Sequence, residues 1–203
     1  MGRTITILGM GRTAVERCVD IKNHVEGEVW GLNDGYLFYK ESGLKFDRFF
    51  ELHNYDYLKD WQIADGSSHF ENLHRLGCPI YVTNNLPIVE NQVKYKGLEV
   101  FSHFETNYFL GSPSLMLALA LYEHSAGYQK LDKIITWGID TQDPSHLQQR
   151  SSWSYWISKA NAMGITMAGS AQRFMWEKEN DEGLQGYREH IGNQMIQKEK
   201  QEE

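Results

Sequence analysis

Thr4-Ile5-Thr6-Ile7-Leu8-Gly9-Met10-Gly11-Arg12-Thr13-Ala14 is the stretch that decides how the rest of this chain is read. Its first five residues are apolar or β-branched, which suits a buried strand. The next six fit G-x-G-x-x-G/A, a tight turn in which glycines let the backbone approach another group closely. A helical pattern follows from Thr13 to about Asn23. In it Val15, Cys18, Val19 and Ile21 form an apolar stripe, while Arg12, Glu16, Arg17 and Asp20 face water. A strand, a glycine turn and a helix in that order form the first unit of an α/β chain.

The same alternation continues downstream. Glu28 to Leu32 reads as a second strand, followed by the turn Asn33-Asp34-Gly35 and an aromatic helix from Tyr36 to about Glu41. Asp47 to Leu52 reads as a third strand, ending in His53-Asn54. Residues 55–77 are helical in pattern but broken at Asp65-Gly66-Ser67-Ser68. Pro79 to Val82 gives a fourth strand and Leu98 to Phe101 a fifth. Ser112 to about His124 is apolar nearly all round and is expected to be a buried helix, with Ser112 as N-cap and Pro113 at the first helical position. Asp132 to Trp137 is a further strand, a helix follows from about Ser152 to Met163, and Ile165 to Met167 closes the ordered core. Strands alternating with helices argue for a single α/β domain with a mainly parallel sheet flanked by helices, spanning residues 1–175. Residues 176–203 are expected to form a charged helical tail.

Composition narrows the function classes. With 41% hydrophobic residues in 203, the chain has the material for one ordinary core. Its 20 basic and 27 acidic residues leave a net charge of −7, which argues against bulk nucleic-acid or membrane-surface binding through a general positive field. No apolar run approaches a membrane span and no secretory signal is readable, so a cytoplasmic protein is expected. Its two cysteines, Cys18 and Cys78, lie far apart without C-x-x-C spacing, which suits reduced thiols rather than a disulfide or a zinc site. The aromatic content leaves a homodimer open.

In parallel sheets ligands gather beyond the carboxyl ends of strands. The residues that follow each strand therefore carry the functional reading. Gly9 and Gly11 would let a phosphate approach the backbone, and Arg12 and Thr13 would add a guanidinium and a hydroxyl. Asn33, with Asp34 behind it, stands where dinucleotide enzymes place a ribose-reading side chain. After Trp137 come Asp140, Asp143, His146 and Arg150. Asp140 suits either loop capping or acid–base work, His146 suits proton transfer, and Arg150 suits a charged leaving group. Ser112 opens a helix whose start favours anions, although a plain N-cap explains it as well. His69 and His74 are five apart and do not share a helix face as a metal pair would. No Asp-x-Asp follows a strand, so no metal is expected. His53 and His103 have no assignable place.

Taken in order, Gly9-Met10-Gly11-Arg12-Thr13, Trp30-Gly31-Leu32-Asn33, Gly111-Ser112, Trp137-Gly138-Ile139-Asp140 and Ser170 form a segment pattern. It resembles the bacterial CMP-sialic-acid-dependent sialyltransferases and their wider Rossmann-like relatives, including small phage-encoded proteins of unassigned role. The resemblance covers roughly residues 4–175 as a pattern of segments. It implies a Rossmann-like domain in which Gly9, Gly11, Thr13 and Asn33 hold a cytidine nucleotide, Ser112 touches the donor and His146 is the general base. Phage encoding would place the protein in the host cytoplasm. Met10 and Arg12-Thr13 stand where the family usually carries Asn and Pro-Ser. The family's phosphate-binding tyrosines have no clear counterpart here, and Arg150 would stand in for them.

The function expected from residues and resemblance together is a nucleotide-binding transferase, most like a metal-independent glycosyltransferase that takes a nucleotide-activated sugar and requires no cofactor. Asp140 would orient His146 or the acceptor hydroxyl. The alternative is a catalytically silent Rossmann-like module that binds or sequesters a nucleotide as a phage accessory protein. An NAD-dependent oxidoreductase rests on the glycine turn alone.

Overall fold

The computed structural model describes residues 2–15, 18–61, 63, 66–139 and 147–171. Among them seven strands form one sheet: β1 (Arg3–Leu8), β2 (Glu28–Leu32), β3 (Arg48–Glu51), β4 (Ile80–Val82), β5 (Gln92–Lys94), β6 (Leu131–Trp137) and β7 (Thr166–Gly169). The spatial order is β5-β4-β3-β2-β1-β6-β7, with every pairing parallel. From β1 the chain steps outward to β5, then returns across the sheet and pairs β6 with the free side of β1. This is a doubly wound, Rossmann-like sheet whose order reverses between β1 and β6.

The helices are α1 (Arg12–Val15), α2 (Gly35–Tyr39), α3 (Tyr55–Leu58), α4 (His69–Arg75), α5 (Gly97–Phe104), α6 (Ser112–Ser125) and α7 (Leu147–Ala162). Parallel neighbours need crossovers of one hand, so a reversal of strand order moves the connecting helices to the opposite face. On one face Leu8, Ala14, Ile21, Val29 and Tyr39 make one core cluster. A neighbouring cluster joins Tyr36, Phe49, Leu58, Leu73, Ile80 and Val82. On the other face α6 packs against β3, β6, α5 and α7. Because it is enclosed on several sides, Met116 to Leu121 are all buried, which explains its lack of a polar stripe.

Several elements differ from the sequence reading. Leu98–Phe101 belongs to α5, and the fifth strand is β5. Within α5, Val100 is buried while Leu98 is 79% exposed, so the apolar run was short enough to suit either period. The described part of the first helix is Arg12–Val15, and Ile21–Asn23 forms a separate 3-10 turn, so no single helix runs to Asn23 and Val19 is 91% exposed instead of on a core stripe. Ser112 is the first helical residue of α6 and makes no capping bond. Gly111 takes the N-cap position, and the side chain of Gln149 fills the space a Cβ there would need. α7 already includes Leu147, a turn and a half before the expected start. The expected tail, 176–203, lies outside the described residues.

At the amino edge of the sheet a charged network ties α6 to three neighbouring strands. Arg3 pairs with Glu28 and Glu123, each at 2.7 Å, and Arg48 pairs with Glu123 at 2.6 Å and Glu28 at 3.3 Å. Both guanidinium groups lie over the Trp30 ring, Arg3 at 5.4 Å and Arg48 at 4.8 Å, and the indole N–H donates to Glu28 at 3.1 Å. Burial pushes the Glu28 carboxyl up, but hydrogen bonds from Trp30 and Arg3 outweigh it and hold the group below its ordinary value. Trp30 is fully buried in this frame.

The carboxyl ends of β1 and β6 approach even more closely. Gly9 donates to the Trp137 carbonyl at 2.7 Å and Gly11 to the Gly138 carbonyl at 2.8 Å. A Cβ on Gly138 would run into the Cβ of Ala14 and the Gly9 carbonyl, and its φ of +69° disfavours any side chain. Replacing Gly138 by Ala is therefore expected to cost about 2–3 kcal/mol of stability, read as a lower urea midpoint at unchanged slope.

Candidate functional site

The glycine turn leaves β1 at the reversal point and runs into α1. Its backbone is largely committed to the fold. Besides the two donors above, the Gly9 carbonyl accepts a 2.6 Å bond from the buried Tyr39 hydroxyl. The N–H groups of Gly9 and Gly11 therefore serve the β1–β6 junction, and both glycines have a structural reason to be there. Arg12 is exposed at the start of α1. The backbone of residue 13 lies in the same turn.

Met10 reaches across to the neighbouring strand end, where its Cγ lies 3.7 Å from the position of a Cβ on Gly35. That contact brings the glycine turn beside Asn33 and Asp34. Asn33 adopts the left-handed conformation with φ of +55°, which asparagine tolerates better than most residues. Its N–H donates to the Phe50 carbonyl at 2.9 Å, while its buried Oδ1 has no hydrogen-bond partner among the described residues. Asp34 precedes α2 without capping it. Gly9, Gly11, Arg12, Asn33 and Asp34 thus share one region of the carboxyl edge.

Ser112 and Arg150 belong to a second region, where α6 and α7 begin. Gln149 lies against Gly111, and Ser152 accepts from the Leu110 N–H at 3.3 Å and approaches the Ser114 hydroxyl at 3.0 Å. Ser114 is buried in this α6–α7 contact. Arg150 is partly buried on the first turn of α7. Trp153 and Trp156 are core residues. Asp140, Asp143 and His146 lie outside the described residues.

The most chemically distinctive group stands at the carboxyl end of β3. Glu51 ends that strand with 0% exposure. One carboxylate oxygen accepts from the His53 imidazole at Nδ1, 2.7 Å, and from the His53 N–H at 3.2 Å. The other meets Nε2 of His69, from α4, at 2.9 Å. Nδ1 of His69 in turn meets the Tyr36 hydroxyl, from α2, at 2.8 Å. Both imidazoles donate to the Glu51 carboxylate, His53 from Nδ1 and His69 from Nε2, while which of His69 Nδ1 and the Tyr36 hydroxyl donates depends on the tautomer of His69.

Aromatic rings enclose the chain of bonds. Trp61 and Tyr36 stack on His69 at centroid distances of 5.5 and 5.7 Å, and Tyr57 lies 4.9 Å from His53. Burial pushes the Glu51 carboxyl up, but hydrogen bonds from His53 and His69, with their charges, outweigh it and hold it below its ordinary value. The bond to Glu51 raises the His53 imidazole above its ordinary value against an opposing effect of burial, and the charges of Glu51 and Asp34 add to the rise. Among the described residues, no three His, Cys, Asp or Glu side chains converge to hold a metal ion. None of their helices is long and apolar enough to cross a membrane.

This group was not assembled from the sequence. An acid closing the apolar strand Arg48-Phe49-Phe50-Glu51, with a histidine two residues on, is a signal that strand-end reading could have used. His69 and Tyr36 come from separate helices and gave no such signal. No family model matches the chain, and no curated protein matches it significantly.

Glu51 and His53 give the site a defined pH signature. The depressed carboxyl contributes stability above its unfolded value near 4.5, lost as pH falls through the folded value; the raised imidazole contributes below 6.5, lost as pH rises through its own folded value. Both contributions are present together between those two values. The E51Q variant is expected to lose about 2–3 kcal/mol, through buried imidazole donors left poorly paired. The gap from the parent protein should be widest near pH 5–6 in urea unfolding followed across pH. A gap that does not vary between pH 4 and 8 would count against the ionised pair.

Proposed function

We propose that this protein binds a nucleotide at the carboxyl edge of its sheet and acts as a transferase, most like a glycosyltransferase using a nucleotide-activated sugar. The observation that carries the reading is the reversal of strand order between β1 and β6. In doubly wound sheets the connections diverge to opposite faces at that point and leave a crevice for a ligand. Arg12 and residue 13 at the start of α1 are the candidates for phosphate. Asn33 is the candidate for ribose or base, because its buried carbonyl oxygen lacks a partner among the described residues and a ligand hydroxyl or amino group would supply one. Ser112 and Arg150, at the α6–α7 corner, are the candidates for the donor and its leaving phosphate. On this reading the protein works in the cytoplasm, with Cys18 and Cys78 as free thiols.

One observation favours the second reading, a silent nucleotide-binding module. The N–H groups of Gly9 and Gly11 already serve the β1–β6 junction, so a phosphate gains fewer backbone donors than the motif suggests. Calorimetry with CMP, UDP, ADP, NAD, S-adenosylmethionine and the corresponding activated sugars separates the two. Tight binding of an activated sugar with slow hydrolysis supports transfer. Binding of a free nucleotide without turnover supports the silent module, and no heat from any of them removes both. Replacing Asn33 by Ala should weaken the bound nucleotide about tenfold, the scale of one lost hydrogen bond.

A further inference from the structure

The Glu51 group has a buried end and an open end. Glu51 and His69 are buried, whereas the His53 side chain is 34% exposed. Nδ1 of His53 is held by Glu51, so the proton of the neutral ring sits there and the lone pair sits on Nε2. That nitrogen has no hydrogen-bond partner among the described residues. A carboxylate that fixes the tautomer and stabilises the imidazolium on proton uptake is the arrangement general bases need. The surroundings add a surface suited to a ring. Tyr57, beside His53, is 60% exposed and Tyr55 is 40% exposed, and Trp61 packs edge-on to Tyr57 at 5.5 Å. Aromatic faces next to a base suit a molecule with an apolar ring face and a hydroxyl at its rim.

We propose that His53 is a catalytic acid–base residue acting on a hydroxyl of a ring-shaped acceptor such as a sugar, and that Glu51 is its positioning residue. The choice of acceptor rests on the group-transfer reading above. Nε2 takes the acceptor's hydroxyl proton as its oxygen bonds to the anomeric carbon of the donor. The bond from that carbon to the nucleotide's phosphate oxygen breaks, and its electron pair leaves with the phosphate. The proton on His53 is stabilised by Glu51 and then passes to water. The groups that set the readiness of His53 are Glu51 from β3, Asp34 from the turn before α2, and the rings of Tyr57 and Trp61. His69 and Tyr36 act through the other oxygen of Glu51.

Two measurements on the full chain test this. In protein labelled at histidine, methyl glycosides should move the His53 ring signals in NMR spectra, with the glycoside as the sole probe. With the activated sugar selected by calorimetry, H53Q should lower kcat about 100-fold or more, with nucleotide affinity near that of the parent and a urea midpoint lowered only by the weakened bond to Glu51. E51Q should move the acid limb of the kcat/KM profile to lower pH, because the carboxylate that raises the His53 value is gone; a purely structural carboxylate would leave that limb in place. Turnover in H53Q equal to the parent's, or its loss in H146A alone, overturns the proposal. So do ring signals that respond to nucleotides but not to glycosides, which would put His53 in the nucleotide site. If no nucleotide binds while glycosides still move His53, the acceptor site stands and the nucleotide reading falls.

Discussion

Gly9 donates its N–H to the Trp137 carbonyl and Gly11 donates to the Gly138 carbonyl, so the pairing of β1 with β6 runs on past the ends of both strands. A sheet with only parallel neighbours has to connect them by crossovers, and the single return across the sheet ends in this pairing. If β6 did not dock on the free side of β1, β7 and α7 would have no place to pack, and strand order would not reverse. Side chains would prevent so close an approach. Gly9 and Gly138 meet backbone to backbone, with Ala14 closing over them. The motif that reads as a phosphate cradle thus has a prior task, which is to seal the β1–β6 junction.

The two edges of the sheet use charge differently. At the amino edge Arg3, Arg48, Glu28 and Glu123 neutralise one another around Trp30, and Arg48 also reaches the Tyr81 hydroxyl at 3.2 Å. Such a network holds α6 against β1, β2 and β3 and leaves little unmatched charge for a ligand. At the carboxyl edge one buried carboxylate, Glu51, is shared by two imidazoles, and one of them reaches solvent. Burying an ion is costly unless donors surround it, and here the donors are groups that can themselves gain or lose a proton. The first arrangement suits a rigid frame and the second suits proton transfer.

Much of the fold was legible because it rests on local pattern. The β-branched run before Gly9, the turn at Asn33-Asp34-Gly35 and the unbroken apolar helix after Gly111 each announce themselves within a window of a few residues. The misplaced fifth strand and the overextended first helix fall where that signal is weakest, in short segments where neighbours decide the conformation. Of the site, Asn33 and Asp34 were legible as strand-end residues. His53 was visible at the end of a strand but had no role until its partners were known.

The order of residues by itself determined that strands and helices alternate, that the sheet is mainly parallel, and that Gly9, Gly11 and Asn33 stand at strand ends, because periodicity and turn chemistry are local properties. Only the tertiary structure decided which strand lies beside β1, and that decision turned two glycines into a backbone junction. Only it brought Tyr36, Glu51, His53 and His69 into one chain of hydrogen bonds. Those residues come from α2, the end of β3 and α4, and no spacing in the sequence encodes their distances; the packing of the helices on the sheet sets them.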